Sequence, residues 1–417
     1  MNKKAFVRSA AATAGAGAMA AALAVTTATS AHAASAWPAH VFAPYVDTGL
    51  YYSGNPLTSW ASSYGTKYYT LAFVDGSGCA WSLPSESTWA PDISALQAAG
   101  GDVSVSFGGY TTDSDGTDLG ATCSSASAMA TQVEGVVTTL GVTHLDFDIE
   151  SSEQDNSADL ARTAQALALV RSWGSANGKS LFISYTVPTL STGLTSEGLA
   201  VIQAAAANGF TPNVVNVMAM DYGTSGTEMG TAADSAITAV ASQVAGTFNV
   251  SSSTAYGMLG VTPMIGQNDS SGEIFTLADA STVESFAASK GIAWTSFWSE
   301  GRDNGGCSGS TSASSSCSGL TQNTGQFTQI FQGFTSGSTS TGGSPSASAS
   351  ASARPSPSAS ATTGGSGGTC AAAWSSSTAY TSGNEVSYNG HDWTANQWNY
   401  NEVPGGASGA WNDDGAC

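Results

Sequence analysis

Three acidic residues alternate with apolar ones in the segment HLDFDIE at residues 144–150. The intervening leucine, phenylalanine and isoleucine are typical of a buried β-strand. Because successive side chains of a strand point to opposite faces, Asp146, Asp148 and Glu150 share one face, about 7 Å apart along the strand. Carboxyl groups crowded on a buried face keep their protons to higher pH, and a protonated carboxyl group can act as a general acid. The segment therefore predicts acid–base chemistry.

A row of carboxylates could also bind calcium, which is the alternative interpretation. Calcium sites usually take their ligands from a loop and include backbone carbonyl groups. Here the three acids instead occupy alternate positions of one apolar strand. No pair of cysteines has the spacing of a zinc site. We expect neither a metal ion nor a cofactor.

Eight short segments rich in β-branched and aromatic residues recur between residues 40 and 300, and helical patterns follow most of them. They are HVFAPYVD, YYTLAFVD, DVSVSFGGY, THLDFDIE, SLFISYTVP, VVNVMAMDYG, YGMLGVTPM and IAWTSFWSE. This rhythm is typical of an α/β fold of the (β/α)8 TIM-barrel type, with a doubly wound open sheet as the alternative. We predict the barrel over residues 35–335. Since active sites lie at the C-terminal ends of barrel strands, Glu150 would lie at the mouth and Asp146 deeper.

The row resembles the signature of glycoside hydrolase family 18, which includes chitinases and endo-β-N-acetylglucosaminidases. That family has D-x-x-D-x-D-x-E on the fourth strand and S-x-G-G on the third, matched here by SFGG at residues 106–109. Thr143 replaces the first Asp, which we interpret as a structural loss. The resemblance implies hydrolysis of β-1,4-linked N-acetylglucosamine polymers with retention, in which the 2-acetamido oxygen of the substrate attacks the anomeric carbon to form an oxazolinium ion.

The resemblance also implies a role for each acid. Glu150 would be the general acid and then the base for water. Asp148 would orient the acetamido N–H, and Asp146 would share a proton with Asp148. Ser106 would support the site by a hydrogen bond to Asp146.

Four further residues are predicted to bind the substrate. The family usually shows M-x-Y-D on the sixth strand, where this chain has Met220 at the Tyr position and Asp221 at the Asp position. We expect Tyr222 to supply the hydroxyl group instead, with a packing role as the alternative. Trp298 resembles the tryptophan that forms the floor of the sugar subsite by stacking. Tyr45, on the first strand, is a candidate lining residue.

The N-terminus has the features of a secretory signal peptide over residues 1–34. Lys3, Lys4 and Arg8 precede an Ala-rich apolar stretch and an Ala-His-Ala cleavage site; a membrane-spanning helix is the alternative. Beyond the signal, 30 acidic residues face seven basic ones, a net charge of −23. Because contacts to phosphate require Lys and Arg, this charge excludes nucleic acid as a partner. We expect a secreted monomer that does not bind membranes.

Six cysteines in an exported chain indicate disulfides, although the sequence alone permits 15 pairings. Spacing favours a local loop between Cys307 and Cys317 and a clip between Cys370 and Cys417. Cys79 and Cys123 remain as the third pair.

A linker and a small module follow the predicted barrel. Residues 336–369 contain no aromatic or large aliphatic residue, so they cannot bury enough surface to fold. Residues 370–417 contain four Trp and three Tyr and resemble carbohydrate-binding modules of families 5 and 12, which bind crystalline chitin. We assign Trp374, Tyr380, Trp393 and Trp411 to an all-β core, and Trp398 and Tyr400 to sugar stacking.

The segment between the seventh and eighth candidate strands is short, about 28 residues. Some members of the family insert a domain there and so form a deep cleft. A shallow open groove is expected instead, which favours internal cleavage of chitin and chitooligosaccharides. The leading hypothesis is a secreted endo-acting chitinase. The alternatives are an endo-β-N-acetylglucosaminidase acting on glycoprotein glycans and an inactive chitin-binding lectin.

Overall fold

The computed structural model describes residues 37–336 except 51 and 53, and six parts of the terminal segment. These parts are 370–375, 379–380, 384–395, 399–400, 403–405 and 410–416. The predicted signal peptide and all but the first residue of the predicted linker lie outside the described residues. The chain divides into two compact units, Met1–Pro345 and Ser346–Cys417.

The first unit contains a closed parallel sheet of eight strands. In chain order they are β1 (Val41–Phe42 continued by Tyr45–Asp47), β2 (Tyr68–Val74), β3 (Asp102–Gly108), β4 (His144–Asp148), β5 (Phe182–Leu190), β6 (Val214–Ala219), β7 (Leu259–Pro263) and β8 (Trp294–Thr295). Neighbours in the sheet follow chain order. The first part of β1 pairs with β8 and its second part with β2, which closes the sheet. The predicted (β/α)8 barrel is confirmed, and the open-sheet alternative is wrong.

A helix follows each strand and covers the outside of the sheet. These helices are α1 (Pro56–Tyr64), α2 (Glu86–Ala98), α3 (Ala126–Leu140), α4 (Ser157–Ala176), α5 (Ser196–Ala207), α6 (Met229–Phe248), α7 (Leu277–Lys290) and α8 (Gln326–Ser336). Short helices at Tyr110–Asp115, Leu119–Thr122, Ser151–Asp155 and Ser252–Gly257, and 3-10 turns at Ser77–Cys79 and Glu300–Arg302, lie in the connections. So do three two-residue strands, Gly193–Leu194, which pairs with β5, and the hairpin Gly266–Gln267 with Ile274–Phe275.

The alternation of residues on β4 separates the apolar core from the lumen. Leu145 and Phe147 belong to the core between the sheet and the helices, and the rings of Phe147 and Phe107 stack at 4.7 Å. Residues of the opposite parity form a polar layer in the lumen, where Asp146 pairs in register with Ser106 on β3 and Ser184 on β5. The strand therefore directs its acids inward, as predicted.

Two predicted disulfides are present in the first unit. Cys79 and Cys123 are joined with their Cα atoms 4.5 Å apart, and Cys307 and Cys317 with theirs 5.8 Å apart. Cys370 is also disulfide-bonded, and its predicted partner, Cys417, lies outside the described residues.

The second unit is built of antiparallel strands. They are β9 (Ala379–Tyr380), β10 (Glu385–Tyr388), β11 (His391–Ala395), β12 (Asn399–Tyr400) and β13 (Trp411–Ala416), paired as β9–β12 and as β10–β11–β13. Tyr380 and Trp411 are buried in a small core against which Trp374 and Trp393 pack, as predicted. Trp398 and the side chain of Tyr400 lie outside the described residues.

Among the described residues, no helix has both the length and the apolar character that crossing a membrane requires.

Candidate active site

Asp146 is the deepest of the three acids and accepts hydrogen bonds from four hydroxyl groups. Tyr45 and Ser106 each donate to Oδ2 at 2.8 Å, Ser184 donates to Oδ1 at 2.5 Å, and Thr186 lies 3.0 Å from Oδ1. Burial raises the pKa of Asp146, and these donors oppose that rise because they stabilise the charged form. The predicted hydrogen bond from Ser106 is confirmed. The predicted sharing of a proton with Asp148 stays a prediction.

Asp148 lies one step nearer the mouth and borders an open groove. Its Oδ1 is buried and has no hydrogen-bond partner in the described part of the chain. Burial raises the pKa of Asp148 well above its usual value, and the charges of Glu150 and Asp146 raise it further. The surroundings of this carboxyl group therefore favour its protonated form, and one of its oxygens is open to a ligand.

Glu150 is half-buried at the rim of the same groove, directly after β4. Its backbone N–H donates to Oδ2 of Asp113 at 2.7 Å. Burial raises the pKa of the Glu150 carboxyl group to about 7, the backbone N–H of Tyr110 partly opposes this rise, and the charge of Asp221 adds to it. At neutral pH a large fraction of Glu150 is protonated, which is the state that a general acid requires.

Aromatic rings border the groove, whose volume is about 860 Å³. Trp298 lies 5.7 Å from the ring of Phe73 in a stacked arrangement and 5.9 Å from the ring of Tyr45. Tyr45 and Trp298 both line the groove, as predicted. Tyr110, another lining residue, is 68% exposed. Flat apolar surfaces of this kind suit the faces of sugar rings.

The structure corrects the expectation for Tyr222. Met220 and Asp221 line the groove, whereas Tyr222 does not. The ring of Tyr222 packs against the hydrophobic core, and its backbone N–H donates to Glu273 at 2.9 Å. The chain reverses at Asp221, whose φ is 51°, so the alternation of an extended strand ends before Tyr222. The alternative weighed from the sequence, a packing role for Tyr222, describes its position.

Several residues of the site were missed from the sequence. Ser184 and Thr186 stand at alternate positions of the segment SLFISYTVP, so their parity could have placed them in the lumen beside Asp146. Asp113 lies in the short helix Tyr110–Asp115, 37 residues before Glu150. No periodicity in the sequence connects Asp113 with Glu150, and only the fold brings them together.

Comparison with known proteins agrees with this geometry. The model of glycosyl hydrolases family 18 matches residues 48–303, and that of carbohydrate-binding module family 5/12 matches residues 373–412. The catalytic domain of a hyperthermophilic chitinase from Pyrococcus furiosus is 31% identical, with a TM-score of 0.65, over 73% of this chain and 98% of that domain.

Two curated relatives are similarly close in sequence. A probable bifunctional chitinase/lysozyme of Escherichia coli K12 is 36% identical over 72% of this chain and 35% of its own length. Endochitinase 11 of Metarhizium anisopliae is 36% identical over 64% of this chain and 53% of its own length. This chain thus spans about half or less of the length of these curated relatives. It belongs to family 18 of the glycosyl hydrolases, with a terminal carbohydrate-binding module of family 5/12.

Proposed function

We propose that this protein is a secreted, endo-acting chitinase that hydrolyses β-1,4-linked N-acetylglucosamine polymers with retention. The observation that carries the proposal is the inward row on β4, with Glu150 half-buried at the rim of the groove and its pKa raised to about 7. The names of the relatives and of the Pyrococcus furiosus domain support the substrate class.

In this proposal Glu150 protonates the leaving glycosidic oxygen. Once the leaving sugar departs, the Glu150 carboxylate takes a proton from the incoming water, so the enzyme returns to its starting state. A positioned general acid and base typically accelerates a reaction by about 10²–10⁴-fold.

Asp148 is proposed to act on the 2-acetamido group of the sugar at the cleavage point. Its buried Oδ1 has no partner in the described part of the chain, and an unsatisfied buried acceptor costs about 1–3 kcal/mol. An amide N–H of the substrate would satisfy this oxygen and direct the acetamido carbonyl oxygen toward the anomeric carbon. The substrate thereby replaces the second catalytic carboxylate of ordinary glycosidases, which family 18 lacks.

The shape of the groove supports internal cleavage. Between β7 and β8 the chain forms only the hairpin Gly266–Gln267 with Ile274–Phe275 and the helix α7, so no inserted domain deepens the cleft there. A polymer can lie across such a groove without threading an end. Secretion is proposed from the signal-like N-terminus, and the disulfides Cys79–Cys123 and Cys307–Cys317 suit an oxidising compartment.

The anomeric form of fresh product tests the mechanism. Proton NMR of chitohexaose digested by the full chain should show β-product, because two displacements restore the starting configuration. Fully deacetylated hexamer should resist cleavage, since it has no acetamido group to attack. An α-product, or equal cleavage of the deacetylated hexamer, would contradict substrate assistance.

The variant Glu150→Gln tests the acid and separates the alternative functions. It should lower kcat by at least about 10²-fold, while Glu197→Gln, which removes an exposed glutamate on α5, should not change kcat. A parent protein that binds chitohexaose without cleaving it would be a lectin. Release of glycans from a glycoprotein without turnover of chitin would indicate an endo-β-N-acetylglucosaminidase.

A further inference from the structure

Three carboxyl groups from the connections that follow β3 and β4 lie close together, outside the groove. Asp113 and Asp118 follow β3, and Glu153 lies in the short helix Ser151–Asp155 that follows β4. Their exposed fractions are 0%, 3% and 6%. One oxygen from each carboxyl group lies within 4.8 Å of the other two. We name these three residues the acidic triad.

Two oxygens of the acidic triad are buried without a partner. Oδ1 of Asp113 and Oδ2 of Asp118 accept no hydrogen bond from the part of the chain that is described. The salt bridges found in that part involve Asp159 and Asp413, so none reaches the triad. Buried carboxylates without a counter-charge are costly, and a bound cation would offset that cost.

A small cavity of about 10 Å³ borders two members of the triad, Asp118 and Glu153, and the glycines Gly108 and Gly120. Its other lining residues are apolar: Phe107, Leu119, Met129, Phe147 and Ile149. A Cβ atom at Gly120 would lie 2.8 Å from Oε1 of Glu153 and 2.9 Å from Oδ1 of Asp118. A Cβ atom at Gly108 would lie 3.0 Å from Oδ1 of Asp113. The two glycines therefore leave open a space of about the size that one water molecule needs.

We propose that the acidic triad binds one calcium ion. All three side chains offer oxygen, the ligand atom that calcium prefers, and Thr163, whose hydroxyl lies 3.3 Å from Glu153, adds another. Oxygens on opposite sides of calcium lie about 4.6–5.2 Å apart, against about 4.0–4.2 Å for magnesium. The three ligand oxygens of the triad lie within 4.8 Å of one another, so one calcium ion can reach all of them. The cavity also has no room for the several waters that magnesium retains.

The ion would connect the two loops that carry the active site. The two carboxyl oxygens of Asp113 have different roles. Oδ1 is available to the ion, whereas Oδ2 accepts the backbone N–H of Glu150. Calcium would thus hold the loop after β3 against the short helix after β4 and fix the backbone at Glu150 from below. This role is structural and does not depend on the substrate that the groove accepts.

Calorimetry and thermal unfolding of the full chain test the proposal. After dialysis against EDTA, titration with calcium chloride should show binding of one ion, and the Tm should rise by several degrees at saturation because the ion binds only the folded state. Magnesium at the same concentration should raise the Tm less.

Matched variants locate the ion. Glu153→Gln and Asp118→Asn keep the size of each side chain and remove one charge, so both should remain folded in EDTA but lose the calcium-dependent rise in Tm. Glu197→Gln should keep the full rise. A parent Tm that is equal in EDTA and calcium, with no heat of binding, would overturn the proposal. A rise that both triad variants retain would place the ion elsewhere, and an equal response to magnesium would contradict the assignment to calcium.

Discussion

In the proposed mechanism, the protonation of Glu150 sets the pH range in which the groove can act on a glycosidic bond. Its carboxyl group is half-buried and lies in the negative field of Asp221, and both effects favour the neutral form. Burial and the charges of two acidic neighbours raise the pKa of Asp148, next along the same face, well above its usual value. The surroundings of Glu150 and Asp148 therefore favour their protonated forms, although both acids have an ordinary pKa near 4 in water.

The first residue-scale prediction concerns the high-pH limb of activity. A general acid works only while protonated, so kcat/KM should fall as pH rises through about 7, the value to which the pKa of Glu150 is raised. The pH profile of chitohexaose hydrolysis by the full chain checks this. Activity that stays constant from pH 6 to pH 9 would contradict it.

Asp221→Asn refines that prediction. Removing the charge of Asp221 removes one cause of the raised pKa of Glu150, so the limb should move to lower pH. The pH at which kcat/KM falls separates this electrostatic effect from a loss of substrate binding. A loss of binding would lower the maximum of kcat/KM but leave that pH unchanged. A limb that does not move would show that Asp221 does not act on Glu150.

The parts of the site that sequence could predict are those that share one strand. Asp146, Asp148 and Glu150 follow the period of two, and their direction into the lumen required only the barrel. Tyr222 was misplaced because the chain turns at Asp221, where an aspartate adopts positive φ that no pattern signals. Asp113 was missed because its partner lies 37 residues away.

At the scale of elements, α1 obtains its N-terminal cap from another helix. Asn55, at the N-cap position, makes no side-chain cap hydrogen bond. Instead Asp92, on α2, accepts the backbone N–H of Leu57 at 2.8 Å and of Thr58 at 3.3 Å, and the hydroxyl group of Thr58 at 2.9 Å. The buried Asp92 carboxylate therefore joins the first two helices of the barrel.

Asp92→Ala should lower the free energy of unfolding by about 2–3 kcal/mol, since hydrogen bonds to a charged group contribute about 1.5–3 kcal/mol. Asp92→Asn keeps one acceptor oxygen and should cost less. Urea denaturation of both variants at one pH measures the difference. Equal losses for Ala and Asn would show that the effect comes from the negative charge and not from the acceptor oxygen that Asn keeps.

The elements themselves were largely predictable. Each of the eight predicted segments overlaps a strand of the barrel, because buried parallel strands need continuous apolar or β-branched runs. The ends of the strands were less predictable. β8 ends at Thr295, well before the end of the segment IAWTSFWSE, and the first two residues of YGMLGVTPM, Tyr256 and Gly257, belong to a helix. Hydrogen bonding to neighbouring strands determines where a strand ends, and the residue types of the segment alone do not reveal it.

At the scale of the whole molecule, buried acids should make stability fall as pH rises. Burial raises the pKa of Glu300 and of Asp234 to about 8 each, whereas unfolded carboxyl groups ionise near pH 4. Between those values the folded state binds more protons than the unfolded state, so stability is greatest at low pH and is lost as pH approaches 8.

The Tm of the full chain in EDTA should therefore be higher at pH 5 than at pH 8. Glu300→Gln removes one of these groups while keeping an acceptor for the hydroxyl group of Thr328, so the Tm of this variant should fall less over the same range. Thermal unfolding at the two pH values measures both slopes. A Glu300→Gln slope equal to that of the parent would show that Glu300 ionises without cost in the folded protein.

The two compact units are predicted to have separate functions, catalysis in the first and binding to insoluble chitin in the second, which truncation can test. Met1–Pro345 forms its own unit and contains the complete groove, so a chain ending at Pro345 should hydrolyse soluble chitohexaose as fast as the full chain. On insoluble chitin it should be slower, by a factor of up to about 10², because the terminal module no longer raises the local concentration of the barrel at the surface. Full-length Trp398→Ala is the matched control, since it removes one predicted sugar-stacking ring and should reproduce part of the loss. Equal rates of the truncated and full chains on insoluble chitin would show that the module does not anchor the enzyme to its substrate.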